Sequence, residues 1–141
     1  MSQFNKINDT FSVAPQLPPH ALDAAAKEGF VAVICNRPDH EEPGQPTLED
    51  QAKTATRAGL AFHAVPFDMS SLDRGVIDAF ELALKSADGP VLAYCRSGTR
   101  STIAWCAVQL RAGRELESVL NDARSAGYEL SAQAPLIQAL A

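Results

Sequence analysis

The chain has 141 residues, 46% of them hydrophobic, which is enough for a single buried core, and we expect one domain over residues 1–141. Its formal net charge is -5, with both signs spread along the sequence, which argues against binding to nucleic acid or to a membrane surface. Three widely spaced cysteines (Cys35, Cys95 and Cys106) and the lack of any apolar run of membrane-spanning length predict a reducing, cytoplasmic location.

Strands and helices are predicted to alternate along the chain. The apolar run FVAVIC suits a strand that is buried on both faces, whereas NRPDHEEPGQP, with three prolines and a glycine, predicts a loop. Capping pairs, Thr47 with Asp50 and Ser70 with Asp73, are expected to open two of the helices. In chain order, we predict a strand over 8–14, a helix over 20–29, a strand over 30–35, a loop over 36–46, a helix over 47–59, a strand over 60–67, a helix over 70–89, a strand over 89–95 and helices over 101–113, 115–127 and 131–141.

This alternation predicts an α/β fold with a mostly parallel sheet of four to five strands, flanked by helices. The stretch YCRSGTRS, residues 94–101, directly follows the last predicted strand and leads into a helix. Open α/β sheets bind ligands at this edge, beyond the carboxyl ends of their strands. The position of the stretch therefore predicts a functional site.

The loop from Arg96 to Ser101 has the composition of an anion-binding loop. Unpaired N–H groups at a helix N-terminus attract anions, and Gly98 permits the positive φ that turns successive amides towards one ligand. The hydroxyls of Ser97, Thr99 and Ser101 are candidate donors to the same anion. The two arginines of the stretch, Arg96 and Arg100, add positive charge.

Cys95 is the candidate nucleophile of this loop. A helix N-terminus and neighbouring arginines favour the thiolate form of a cysteine. An activated thiolate inside a ring of donors indicates nucleophilic catalysis on an anionic substrate. A buried structural cysteine would explain neither the glycine nor the paired arginines, so the sequence favours the catalytic interpretation.

The spacing of Cys95 and Arg100, with four residues between them, resembles the active loop of rhodanese-type sulfurtransferases. Protein tyrosine and dual-specificity phosphatases use a similar loop with five residues between the cysteine and the arginine, usually with a histidine before the cysteine. Here Tyr94 stands at the histidine position.

Almost the whole chain resembles the bacterial family called beta-lactamase hydrolase-like protein, phosphatase-like domain. The resemblance is carried by SVAPQLPPHALDAAAKEGFVAVICNRPDHEEPGQPTLED, by HAVPFD and by GPVLAYCRSGTRS followed by Trp105. It implies a dual-specificity-phosphatase-like fold. It also implies a role beside sulfide and persulfide metabolism, with a functional link to a persulfide dioxygenase, because such domains are found fused to enzymes of that type.

The leading hypothesis from the sequence is sulfane-sulfur transfer. Shortening the loop by one residue should tighten the ring and suit a persulfide on Cys95 better than a phosphate. The sulfur donor would be thiosulfate, glutathione persulfide or a protein persulfide, and the acceptor a thiol or cyanide.

Phosphomonoester hydrolysis through a cysteinyl-phosphate is the alternative. It requires a general acid, for which Asp68, at the end of a predicted strand, is a better candidate than Asp73. Asp68 could equally be a loop residue that makes an Asx-turn. A third possibility is a non-catalytic anion-binding module, although binding alone would not require the thiol.

Two further residues near the predicted edge have open roles. Arg37 could add a second positive charge to the pocket or form a salt bridge with Asp39, Glu41 or Glu42. Cys35 could form a disulfide with Cys95, but a buried strand cysteine is the favoured interpretation. The three histidines lack metal-ligand spacing, so we predict no metal and no other cofactor.

Overall fold

A computed structural model describes residues 4–141 of the chain, and the predicted α/β class is confirmed. In this part of the chain five strands alternate with six α-helices. They are β1 (Asn5–Asn8), β2 (Phe11–Ala14), α1 (His20–Lys27), β3 (Ala32–Cys35), α2 (Leu48–Ala58), β4 (Ala61–Ala64), α3 (Arg74–Lys85), β5 (Val91–Tyr94), α4 (Thr99–Arg111), α5 (Leu116–Ser125) and α6 (Ala134–Leu140), with a 3-10 turn (Ser131–Gln133) before α6.

The five strands form one sheet in the order β1-β2-β5-β3-β4. Only the β1–β2 pair is antiparallel, and the register of β3 and β5 places Cys35 opposite Tyr94. Both central strands are buried along their whole length, as a parallel strand covered by helices on both faces requires. Their carboxyl ends meet at the same edge of the sheet, where the loop after β5 begins.

The prediction of a single strand over 8–14 was wrong, because this segment contains a hairpin turn. The Asn8 side chain accepts from the backbone N–H of Thr10 at 2.9 Å and from its hydroxyl at 3.2 Å. Asn and Asp side chains of this kind stabilise tight turns. The chain therefore reverses between β1 and β2 and adds the antiparallel edge strand β1.

Two more boundaries differ from the prediction. The strand predicted over 60–67 is shorter, and β4 is an edge strand whose residues are all partly or largely exposed. Ser70 does not open α3, since the N-cap is Asp73, whose carboxylate accepts from the N–H of Val76 at 2.9 Å. The predicted cap at Thr47 is confirmed, with its hydroxyl accepting from the N–H of Asp50 at 3.1 Å.

The core lies on both faces of the sheet. One face packs against α3, α4, α5 and α6, where Trp105 stacks on Phe11 with ring centroids 5.7 Å apart. The other face packs against α1 and α2 and contains Cys35 and Tyr94. Helix α4 is buried over most of its length, which explains its apolar sequence. No helix within the described residues is long and apolar enough to cross a membrane.

Candidate active site

Cys95 directly follows β5 and begins the loop that leads into α4. Gly98, the N-cap of α4, has φ +96°, a conformation that glycine adopts without the penalty paid by other residues. This turn directs the Gly98 N–H towards Cys95, and it donates to the sulfur at 3.1 Å. Cys95 itself exposes none of its surface.

Arg100 lies in the first turn of α4 and points back over the loop. Its Nη1 and Nη2 atoms donate to the two carboxylate oxygens of Glu41 at 2.7 and 2.8 Å, and Nη1 also donates to the carbonyl oxygen of Phe67 at 2.9 Å. The bond to Glu41 raises the pKa of Arg100, and the nearby Cys95 sulfur adds to this effect. A side-chain hydrogen bond between Arg100 and Cys95 contributes to the same pKa shift. The guanidinium of Arg100 therefore contacts both the candidate nucleophile and the Glu41 carboxylate.

Arg37 is held by acidic side chains, in agreement with the salt-bridge interpretation of its role. The Arg37 side chain is only 3% exposed. Its Nε donates to Glu41 at 2.8 Å and its Nη2 donates to Glu42 at 2.9 Å. Its Nη1 donates to the Gln16 side chain at 2.9 Å. Glu42 also pairs with Arg96 at 2.9 Å. The charges of Arg37 and Arg96 are thus compensated within the protein, and the loop over 36–46 is tied to the loop after β5.

From the sequence, Glu41 was considered only as a salt-bridge partner of Arg37, so its contact with Arg100 was missed. Hydrogen bonds, first from Arg100 and then from Arg37, lower the pKa of Glu41. The carboxylate is therefore ionised at neutral pH and fixes the guanidinium orientation of Arg100. The sequence signal was indirect, because a buried arginine in a loop requires a nearby acid and that loop holds three of them, Asp39, Glu41 and Glu42.

The three hydroxyls of the loop do not all face the sulfur. Ser101, a predicted anion donor, is fully buried and donates to the side-chain oxygen of Asn36 at 2.8 Å. Asn36 in turn donates to the carbonyl oxygen of Val65 at 2.9 Å. Ser97 donates to the Thr99 hydroxyl at 3.0 Å. Ser101 therefore connects α4 to the end of β3, while Ser97 and Thr99 remain at the rim.

Asp68 lies beyond β4, at the same rim as Arg100. Its Oδ1 accepts from the hydroxyl of Ser70 at 2.6 Å and from the N–H groups of Ser70 and Ser71 at 2.9 Å each, which makes the Asx-turn considered from the sequence. The bond from the Ser70 hydroxyl is the main cause that lowers the pKa of Asp68. The carboxylate remains exposed. It lines a cavity of about 330 Å³ whose wall is formed by Glu41, Asp68, Met69, Thr99, Arg100, Ile103 and Gln133.

Tyr128, between α5 and the 3-10 turn, also contacts the loop and was missed from the sequence. Its hydroxyl donates to the carbonyl oxygen of Ser97 at 3.1 Å and accepts from the Asn5 side chain at 2.9 Å. No local pattern indicated this contact, because it depends on how α5 packs against the sheet.

Cys35 has the surroundings of a buried strand cysteine. It lies in the core cluster that covers the α1 and α2 face, together with Tyr94, and its Sγ lies 3.6 Å from the carbonyl oxygen of Arg37. Burial raises the pKa of Cys35, which keeps the thiol protonated. All three cysteines are free.

Comparisons with known proteins agree with this geometry. Residues 3–112 match the model of the family described as beta-lactamase hydrolase-like protein, phosphatase-like domain. A beta-lactamase hydrolase-like protein of Xylella fastidiosa is 34% identical over 108 residues, which cover 77% of this chain and 25% of that protein. The chain spans about a quarter of the length of this curated relative.

Two solved structures share the fold. The structure of a candidate phosphatase from Neisseria meningitidis Z2491 superposes with a TM-score of 0.88 at 27% identity and covers 100% of both chains. The active form of Tk-PTP superposes with a TM-score of 0.78 at 17% identity, over 96% of this chain and 93% of that one. Since the family model covers most of the chain and the architecture matches over its full length, the chain belongs to the phosphatase-like domain family of beta-lactamase hydrolase-like proteins and carries a cysteine-based, phosphatase-like site.

Proposed function

We propose that the chain is a cysteine-dependent phosphatase that hydrolyses a phosphomonoester through a cysteinyl-phosphate on Cys95. One observation carries the proposal: Arg100, which borders Cys95, and Asp68 line the same cavity. Phosphoryl transfer to a thiolate needs these three groups, a nucleophile, a cation for the phosphoryl oxygens and an acid for the leaving oxygen.

In the proposed reaction the Cys95 thiolate attacks phosphorus and the bond to the ester oxygen breaks. The guanidinium of Arg100 binds the phosphoryl oxygens, and the N–H groups of the loop stabilise the charge that develops on the transferring group. Asp68 supplies a proton to the leaving alcohol. Water then attacks the cysteinyl-phosphate, which releases inorganic phosphate and restores the thiolate, while Asp68 accepts the proton of the water.

The turn around Asp68 sets the pH dependence of this reaction. A general acid must be protonated when substrate binds, whereas the lowered pKa of Asp68 keeps it ionised at neutral pH. We therefore expect turnover to rise as the pH falls from neutral towards the pKa of Asp68. Esters with good leaving groups, such as aryl phosphates, need the acid least and should be the better substrates.

The charges around the site favour a small substrate with a single phosphate group. Arg37 and Arg96 are already paired with Glu41 and Glu42. Arg100 is paired with Glu41 as well but borders Cys95, so one phosphate can reach its guanidinium, whereas a second phosphate would meet acidic side chains. Neighbouring cavity residues Met69 and Ile103 are apolar and suit an uncharged leaving group.

Sulfane-sulfur transfer, the leading hypothesis from the sequence, remains the second candidate. Four residues rather than five separate Cys95 from Arg100, and the bonds that hold Asp68 in its turn do not hinder a reaction without a general acid. The Cys95 thiolate would attack the outer sulfur of thiosulfate and release sulfite. An acceptor thiol or cyanide would then remove that sulfur from Cys95. The functional link to a persulfide dioxygenase belongs to this candidate.

Intact mass spectrometry and phosphatase turnover distinguish the two reactions. Wild type, Cys95→Ser and Asp68→Asn are each treated with thiosulfate or glutathione persulfide and, separately, assayed with p-nitrophenyl phosphate and an alkyl phosphomonoester. Phosphatase turnover that Cys95→Ser abolishes supports the proposal. A sulfur adduct on wild type but not on Cys95→Ser, without any ester hydrolysis, would replace it with sulfur transfer.

Absence of both signals, together with binding of phosphate, would favour the non-catalytic anion-binding module. In either enzymatic case we expect the protein to act in the cytoplasm, where its three free cysteines would stay reduced.

A further inference from the structure

We infer that Tyr128 is a positioning residue that holds the Ser97–Gly98 peptide with its N–H facing the Cys95 sulfur. The carbonyl of Ser97 and the N–H of Gly98 belong to the same peptide unit. The carbonyl oxygen accepts from the Tyr128 hydroxyl at 3.1 Å, and the N–H donates to Cys95 Sγ at 3.1 Å. The tyrosine and the nucleophile therefore bind opposite ends of one peptide.

The trans geometry of the peptide makes the two bonds interdependent. There are no cis peptide bonds in the described residues, so the carbonyl and the N–H of this unit point in opposite directions. If the peptide rotated, the Ser97 carbonyl oxygen would face the sulfur in place of the N–H. That oxygen would repel a thiolate. The Tyr128 hydroxyl stabilises the orientation in which the sulfur meets a donor.

Close packing adds to the hydrogen bond. A Cβ atom on Gly98 would lie 2.1 Å from the Tyr128 hydroxyl oxygen and 2.8 Å from its Cζ. The tyrosine thus covers the backbone of the loop directly, without space for a side chain between them. This contact restricts rotation of the peptide even when the hydrogen bond is briefly broken.

Tyr128 is itself positioned from outside the loop. Its N–H donates to the carbonyl oxygen of Ala123 at the end of α5. The Asn5 side chain donates to its hydroxyl oxygen at 2.9 Å, which leaves the hydroxyl proton for Ser97. Burial, and then the nearby Cys95, raise the pKa of Tyr128, so the hydroxyl stays protonated and remains a donor. These contacts would serve a thiolate in phosphoester hydrolysis and in sulfane-sulfur transfer alike, so the inference does not depend on the proposed reaction.

Backbone amide exchange at Gly98, measured by NMR on the whole chain, tests the inference directly. Tyr128→Phe removes the hydroxyl and keeps the ring. We expect the Gly98 amide to exchange about fivefold faster, as the loss of one net hydrogen bond would allow. The matched control is Tyr94→Phe, which removes a buried hydroxyl in the core cluster on the opposite face of the sheet. Exchange at Gly98 should be unchanged in that variant.

A second readout follows the nucleophile without any substrate. The rate of Cys95 alkylation by iodoacetamide, located by peptide mapping, is expected to fall in Tyr128→Phe, because the sulfur is less often held by the N–H of Gly98. Unchanged Gly98 exchange in Tyr128→Phe would overturn the inference, whatever happens to Tm. If that variant does not fold, Asn5→Ala takes its place, because it removes the donor that orients the Tyr128 hydroxyl. Asn5→Ala should then accelerate Gly98 exchange, and a wild-type rate would refute the inference.

Discussion

Glu41 is the carboxylate that orients Arg100, and replacing it with glutamine removes its charge at nearly constant size. Its two oxygens accept from Arg100 at 2.7 and 2.8 Å, and one of them also accepts from Arg37 at 2.8 Å. An amide has a single oxygen acceptor, so Glu41→Gln cannot keep the bidentate pair. We expect the variant to lose both stability and turnover.

The exposed fractions of the Arg100 and Glu41 side chains set the expected loss in the free energy of unfolding. The side chains of Arg100 and Glu41 are 13% and 23% exposed. Exposed ion pairs contribute about 0–1 kcal/mol, whereas removing one partner of a buried pair costs about 3–5 kcal/mol. Because this pair lies between these limits, we expect the free energy of unfolding to fall by about 2 kcal/mol, which lowers Tm by roughly 6 °C for a chain of this size.

The pH dependence of this difference has a defined sign. Arg100, followed by Arg37, lowers the pKa of Glu41 in the folded protein. Such a group contributes stability above its unfolded pKa of about 4.3 and loses that contribution as the pH falls through the folded value. The Tm difference between wild type and Glu41→Gln should therefore be complete at neutral pH and shrink below about pH 4.

Thermal unfolding followed by circular dichroism, at neutral pH and at about pH 3, measures this difference. Glu42→Gln is the matched control, since Glu42 belongs to the same loop but its side chain is 46% exposed. The control should lose less stability than Glu41→Gln and keep more turnover. Equal losses in the two variants, or a Glu41→Gln deficit that is as large in acid as at neutral pH, would refute the reasoning.

Three further predictions concern the loop, the acid and a helix cap. Gly98→Ala places a side chain at a positive φ, with its Cβ 2.1 Å from the Tyr128 hydroxyl oxygen. We expect kcat to fall at least about a hundredfold. A near-normal kcat would contradict the described loop. Ser70→Ala removes the main cause of the lowered pKa of Asp68 and should shift the pH–rate profile of ester hydrolysis upwards, whereas an unchanged profile would exclude Asp68 as the acid. Thr47→Ala should lower the free energy of unfolding by about 1 kcal/mol without changing kcat/KM, as chemical denaturation and steady-state kinetics can show.

The order of the elements and the position of the loop could be predicted because their signals are local. FVAVIC and GPVLAY are continuous apolar runs, and Thr47 acts on the helix that follows it directly. The alternation of strands and helices then places the carboxyl ends of the parallel strands at one edge. Cys95 could therefore be assigned to that edge from the sequence.

The contacts that organise the loop could not be predicted, because their partners are far apart in the sequence. Glu41 and Arg100 are separated by 59 positions, and Tyr128 and Ser97 by 31. Periodicity and capping rules do not indicate which distant side chains meet. The turn at Asp68 could be considered from the sequence, because its hydrogen-bond donors lie only two and three positions away.

The position of Tyr128 has a practical consequence for how this domain is expressed and compared. The family model ends at residue 112, whereas Tyr128 and several core residues of α5 and α6, among them Val119, Leu120 and Ile137, lie beyond that point. A protein truncated at residue 112 would expose the apolar side of α4 and leave the loop after β5 without its tyrosine. Weak activity measured on such a fragment would reflect the truncation rather than the chemistry of Cys95. Activity assays on this chain therefore need to retain residues 113–141.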